Sequence, residues 1–598
     1  MTAATRRAER LALPAGLALT LGVLLVVFYF PVGRVLAEAV VRAGRLTLGP
    51  LLAVLRDPFY TGAAAGLLRD PLGVPAGVLG WLRAGAPPPR LGLFGFTAYQ
   101  AALSTLASVA LGLPGAYLLA RYEFRGRATL RSLTILPFVL PSIMVAVGFL
   151  AMFGQRGTLN DVLRGLGLGP VHLLFTLQVI VLAHAFYNAP LVTRLVSAAW
   201  ETVDRRRLEA ARSLGASPAA AFRDVVLPAV RPALLTAALL TFLFTFMSFP
   251  IVLALGGLRL ATVEVWLYAR VQDLRLGEAA TLATIETAFT LGLTYVYLRY
   301  EARQAASRAG GEPPARRPLF DGWATLRDPR RLGLLAYGAV VIVVFVGPLV
   351  SLLVESVTGP GGGFTTAYYH FLADQQLAAA AGTVKPLPAI RNSLVFGVGT
   401  LLVAVPMGVV VSLVATRGGR GSRLAEALLS APLAVSGIVV GLGLLQSFVF
   451  GTTVFGVRLV LVGPVAIVAA HAVAAYPFVA RNVTPALADL DPRLAEAARS
   501  LGATRLRSLT DVELPLVAGA LLAGAAFAFA ISLGEFSATV VLAEGVKSVT
   551  MPVALERYIG NRSIGPSLGP ATAMGTVLLL VTAVSFVAID RLGGRWAP

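Results

Sequence analysis

Twelve mostly apolar stretches recur along this 598-residue chain, each about as long as the ~20 residues a helix needs to cross hydrocarbon. They lie near 11–33, 97–120, 130–153, 171–192, 230–255 and 280–300. A second set lies near 332–354, 393–416, 424–450, 457–479, 515–542 and 569–590. An all-α polytopic membrane protein is the expected fold class. Only 13% of residues are charged and mean hydropathy is +0.79, whereas a soluble domain carries roughly 25% charged residues. The absence of cysteine excludes disulfides, thiolate metal sites and cysteine nucleophiles.

The net charge is +20, and lysine occurs only at Lys385 and Lys547. In a polytopic chain such an arginine excess marks loops held on the cytoplasmic side, not a nucleic-acid surface. Arg6, Arg7 and Arg10 precede the first apolar run, which exceeds the usual 7–15 residues of a signal-peptide core. An uncleaved first span with a cytoplasmic N-terminus is expected. The even-numbered connections then carry Arg121, Arg125, Arg127 and Arg131, then Arg205, Arg206, Arg207, Arg212 and Arg223. Their counterparts are Arg417, Arg420 and Arg423, then Arg493, Arg499, Arg505 and Arg507; Arg591 and Arg595 put the C-terminus on the same side. The outer loop at 34–96 also holds Arg42, Arg45, Arg56, Arg69, Arg83 and Arg90, but long loops translocate largely regardless of charge.

The chain contains an internal duplication. EAARSLGA at 209–216 recurs at 496–503, 287 residues further along. The same offset relates His184 to His471, Pro190 to Pro477, Asp204 to Asp491 and Pro228 to Pro515. The expected units are residues 1–302 and 332–598, joined by an Arg- and Pro-rich flexible tether at 303–331. Each EAARSLGA copy lies between the fourth and fifth spans of its half, on the cytoplasmic side by the arginine count. Both are polar and helix-favouring, with Glu209/Arg212 and Glu496/Arg499 spaced i,i+3. Gly215 and Gly502 supply a bend where positive φ is cheap, and Pro228 and Pro515 suit the start of the next helix. The predicted unit is helix, glycine bend, helix, span: an elbow that can plug into a groove on another protein.

E-A-A, three residues, G, then a hydrophobic residue and Pro resembles the EAA loop of binding-protein-dependent ABC importer permeases. The resemblance spans about 97–300 and 390–590. It implies two parallel six-helix repeats (a type I importer permease) in the plasma membrane. It also implies a cytoplasmic ATPase dimer as partner and an extracytoplasmic solute-binding protein. Glu209, Ala210, Ala211 and Gly215, with Glu496, Ala497, Ala498 and Gly502, match the segment that seats in the ATPase. Neither lysine follows a glycine, so no G-x-x-x-x-G-K-[ST] loop is present and the ATPase is expected on a separate subunit. No cofactor is expected. With no H-E-x-x-H and four histidines (His172, His184, His370, His471), no metal site is expected either.

Ionisable groups inside a span cost about 2.5–3.5 kcal/mol at the centre. Glu535 is the clearest, and Ser248 stands 287 residues before it. Two roles are open to this pair: lining the translocation pathway, or a buried hydrogen bond between helices. Tyr187 and Asn188 are further pathway candidates; Glu286 reads as structural.

Fusion of both halves is commonest in the thiamine and ferric-iron branches of that family. FYNAP at 186–190 with Thr193-Arg194, Met247-Ser248-Phe249, and Leu255-Gly256-Gly257 followed by Thr262-Val263-Glu264 resemble the thiamine branch. Carboxylates and aromatic rings suit an organic cation. Ferric iron is the alternative, then molybdate, sulfate or a polyamine. A twelve-span secondary transporter would carry its signature between spans two and three, where Arg121–Arg127 lacks it.

Overall fold

The computed structural model describes residues 3–594 except 43, 63–90, 135–139, 306–315, 321–327, 375–385, 418–427, 430, 455, 462 and 561–567. Much of the 34–96 loop and of the 303–331 tether, the connections holding Arg420 and Arg423, and Arg595 therefore lie outside the described residues. Regular secondary structure among the described residues is helical apart from three short two-stranded pairings and one isolated bridge.

Helix occupies each of the twelve expected positions. The first half contains α1 (Pro14–Val40), α2 (Gly92–Arg121), α3 (Ser142–Phe153) and α4 (Leu177–Glu201). There follow α5 (Arg205–Ser213), α6 (Pro218–Phe246), α7 (Pro250–Gly256), α8 (Val263–Gln272) and α9 (Leu276–Ala305). The second half contains α10 (Pro329–Glu355), α11 (Pro386–Arg417), α12 (Gly437–Val449) and α13 (Pro464–Ala488). It continues with α14 (Pro492–Ser500), α15 (Arg505–Leu516), α16 (Ala518–Gly534), α17 (Ser537–Leu542), α18 (Met551–Gly560) and α19 (Gly569–Gly594). Eight described helices are long and apolar enough to cross a bilayer, or ten if two sharply bent pairs each count as one.

The fifth span of each half differs from the single helix expected at 230–255 and 515–542. Helix α6 stops at Phe246, residues 247–249 interrupt it, and α7 restarts at Pro250. Helix α16 stops at Gly534, and α17 restarts at Ser537. The breaks are 287 residues apart but are made by different chemistry. In the first half Pro250 opens α7, where a missing N–H costs little. In the second half the Glu535 carboxylate accepts the N–H groups of Ala538 (2.8 Å) and Thr539 (3.0 Å), donors the restarted helix would otherwise leave bare.

The first helix of each half packs on the other half. Helix α1 lies against α11, α12 and α13 as well as α9, and Tyr29 OH donates to Leu428 O (2.5 Å). Helix α10 lies against α3, with the Phe345 and Phe186 rings stacked and Tyr337 OH donating to Leu111 O (2.8 Å). Each crossing helix sets a proline on a glycine of the other half's third span. A Cβ on Gly148 would stand 2.7 Å from Pro348 O, and one on Gly443 2.8 Å from Pro31. Such close helix contact needs small residues where apolar lipid gives no hydrophobic drive to associate.

Part of the tether is docked rather than free. Arg317–Pro318 pairs in parallel with Tyr122–Glu123, and Leu319 is buried with Leu118, Tyr122 and Leu334. Glu201, at the end of α4, gathers Arg127 (2.8 Å), Arg316 (3.2 Å) and Arg131 (3.5 Å). Three cations on one half-buried carboxylate fix the α2–α3 connection and the tether to the elbow end of α4.

Candidate functional site

The two elbows are built alike, one element at a time. Asp204 caps α5 by accepting Arg206 N–H (2.9 Å), and Asp491 caps α14 by accepting Arg493 N–H (2.9 Å). Both helices end in the same motif. Ala216 N–H reaches Ala211 O and Gly215 N–H reaches Arg212 O, each at 3.0 Å. In the second copy Ala503 N–H reaches Ala498 O and Gly502 N–H reaches Arg499 O, also at 3.0 Å. The glycines close these caps with φ of +85° and +88°. Ser217 and Thr504 cap the following helices.

Each continues through a wide turn, Phe222–Val226 in one half and Leu509–Glu513 in the other. The wide turn ends just before Leu227-Pro228 and Leu514-Pro515. The proline ring clashes with the carbonyl four residues back, and a locally widened ladder relieves that clash. From there the halves differ: α6 runs on through Pro228, whereas α15 and α16 meet at 78°.

The ion pairs expected within the elbows are not those formed. Arg205 Nε donates to Glu209 (2.6 Å, i,i+4). The position equivalent to Arg205 is Pro492, so this pair has no counterpart, and Arg499 instead donates to Ala495 O. Being solvent-exposed, such a pair contributes only a few tenths of a kcal/mol, so the caps hold the elbow shape. Sequence reasoning passed over the tips: Leu214 is 89% exposed and Leu501 91%, again 287 residues apart. Exposed leucines at twin turns leave apolar area for a partner to cover.

The second constellation sits at the two breaks. His184 hydrogen-bonds Ser104 Oγ (Nδ1, 3.0 Å) and Ser248 Oγ (Nε2, 2.8 Å). His471 hydrogen-bonds Ser532 Oγ (Nδ1, 2.8 Å) and Thr539 Oγ1 (Nε2, 2.7 Å), and its Nε2 lies 3.2 Å from Glu535 Oε2. In each half, then, a buried histidine of the fourth span ties down the break of the fifth. Ser248 and Glu535 both take part in buried hydrogen bonds between helices. Tyr187 OH donates to Leu140 O (2.7 Å), and the Asn188 amide turns back to His184 O (3.0 Å).

Between the breaks, Phe249 and Phe536 stack with ring centroids 5.4 Å apart and planes 14° apart. They are repeat equivalents and both are fully buried. The pair thus straddles the approximate two-fold relation of the halves. Among the described residues no group of three or more histidines and carboxylates could hold a metal ion.

Twin elbows feeding two broken helices, whose breaks are joined by one aromatic stack, define a two-fold membrane transport domain. Residues 112–300 and 404–597 each match the binding-protein-dependent transport system inner membrane component, and the chain belongs to that family. It is a multi-pass inner-membrane ABC importer permease with both transport domains fused. It is 29% identical over 516 residues to the thiamine transport system permease protein ThiP of Escherichia coli (strain K12), covering 84% of this chain and 88% of that protein. The ThiP of Brucella abortus (strain 2308) is 28% identical over 510 residues, 82% of this chain and 86% of that protein. The molybdenum transport system permease protein ModB of Azotobacter vinelandii is 34% identical over 186 residues, 31% of this chain and 81% of that protein.

Proposed function

We propose that the chain forms the translocation pathway of a thiamine importer and is driven by a cytoplasmic ATPase dimer seated on its two elbows. The twin elbows carry this reading: the same caps, the same positive-φ glycines and the same exposed leucine occur 287 residues apart. Two identical plugs suit two identical sockets, as a dimeric motor presents. Glu209, Ala210, Ala211 and Gly215 form one plug and Glu496, Ala497, Ala498 and Gly502 the other, with Leu214 and Leu501 at the tips. The arginine distribution supports a cytoplasmic position for both elbows and both termini. A solute-binding protein delivers cargo to the opposite face. ATP binding and hydrolysis belong to the partner, since the chain carries no phosphate-binding lysine loop.

Thiamine is favoured by the extent of the likeness to thiamine permeases, over four fifths of both chains. Its cationic ring suits the carboxylates and aromatic side chains near the breaks. Ser248, Glu535, Tyr187 and Asn188 border the pathway in this reading, and the Phe249–Phe536 stack closes it. Each elbow leads into the helix that stops two or three residues before one of these phenylalanines.

The test is reconstitution with the ATPase and binding protein in proteoliposomes. ATP-dependent thiamine uptake is expected, competed by thiamine analogues and not by ferric iron, molybdate, sulfate or polyamines. Uptake of one of those solutes without thiamine uptake would replace the substrate. L214C and L501C should cross-link to the ATPase; labelling of either only from the outer face would sink the elbow assignment.

A further inference from the structure

Glu264 on α8 and Glu286 on α9 are 0% and 1% exposed, and outside the pair itself their four carboxyl oxygens find no hydrogen-bond donor among the described residues. The polar groups beside Glu264 are the Glu286 carboxyl and Ser436 from the second half. The Ser436 hydroxyl caps α12 by accepting Val439 N–H (3.3 Å) and completes no hydrogen bond to Glu264. Two bare carboxylates cannot share a dry site as anions; they must hold a proton between them or face a cation.

Three observations point to a ligand. First, the acids are not part of the duplicated frame. The positions 287 and 288 residues on are Met551 and Pro552 for Glu264, and Ala573 and Met574 for Glu286. The second half makes the same fold without them, so the frame does not require them. Second, the pair lies at the seam of the halves, linked to the central aromatic stack through Tyr268. Tyr268 is i+4 from Glu264 on α8, so the two share a face. Its ring packs on Phe249 (5.1 Å), which stacks on Phe536. Third, a further carboxylate adjoins from the second half: a Cβ on Gly437, the residue after Ser436, would stand 3.3 Å from Glu535 Oε1.

We propose that Glu264 and Glu286 are the binding site for the positive charge of the transported solute, shut in the closed state and uncovered when the two halves part. The charge is met by the two carboxylates, and the flat ring that carries it is met by Tyr268 and the separated phenylalanines. This rests on the thiamine reading above and deepens it. Because Ser436 belongs to the other half, parting the halves removes one of the two polar groups beside Glu264 and admits solute and water together.

The test uses the complete importer in proteoliposomes, with radiolabelled thiamine as the probe. E264Q and E286Q, which keep shape and remove charge, should each lower thiamine uptake at least tenfold, and the double variant should abolish it. E264D should recover part of the rate. A structural, proton-sharing pair predicts the opposite order, because glutamine still hydrogen-bonds glutamate and aspartate shortens the reach. Wild-type uptake by the double variant, or equal loss in E264D and E264Q, would overturn the site while leaving the thiamine reading intact. A wild-type importer that carries molybdate and not thiamine would overturn both. Where the double variant fails to assemble with the ATPase, the two single variants carry the test with the same outcomes.

Discussion

At the residue scale the positions that matter are those where chemistry and repeat symmetry coincide. Gly215 and Gly502 are open on all sides, with nothing within 4 Å of an added Cβ. Any cost of replacing them is therefore backbone strain, about 1–2 kcal/mol for a β-carbon in the left-handed region. G215V and G502V should insert normally yet lose coupled transport; normal substrate-stimulated ATPase in that complex would remove the elbow from the mechanism. His184 and His471 are a second case. H184A leaves Ser104 and Ser248 without their ring partner, a loss of about 1–3 kcal/mol. Thermal unfolding in detergent should show it, and an unchanged midpoint would mean that the fourth span does not hold the break.

At the element scale, the same interruption is produced twice by unlike means. Proline restarts α7, and a carboxylate restarts α17. The two should respond differently to truncation. P250A adds a donor at a position that tolerates one, so it should cost little. E535A strips the acceptor from two helix-start N–H groups, at about 1–2 kcal/mol, and takes one of the three partners of His471 as well. Equal loss in the two variants, measured by melting and by uptake, would contradict this account. The break was partly legible in the sequence: Pro250 follows an apolar run, and Gly534-Glu535 sits within one. A span counted by hydropathy alone hides both, because the residues on either side are apolar.

For the whole molecule, the crossing of α1 and α10 makes each half incomplete without the other. G148V, which sets a β-carbon 2.7 Å from Pro348 O, should loosen α10 from α3 and destabilise the first half more than the second; limited proteolysis that instead cleaved the second half faster would contradict the exchange. The central stack is a further whole-molecule feature. The chain has no cysteine of its own, so thiols placed by F249C and F536C are unique in it. Bridging them should halt uptake, and reduction should restore it. Uptake that continues through the bridge would place the pathway elsewhere.

The sequence alone determined the class of solution. Apolar runs of bilayer length require helices, because lipid leaves backbone groups no other partner, and an eight-residue identity at a 287-residue offset requires two like halves. It also located the elbows and their bends, since caps and positive-φ glycines are local chemistry. Exchange of first helices, the aromatic stack across the axis, the docked tether and the bare carboxylates beside Ser436 were decided only in three dimensions. Each depends on which apolar faces meet, and in a chain apolar nearly throughout, periodicity does not distinguish a face that meets protein from one that meets lipid.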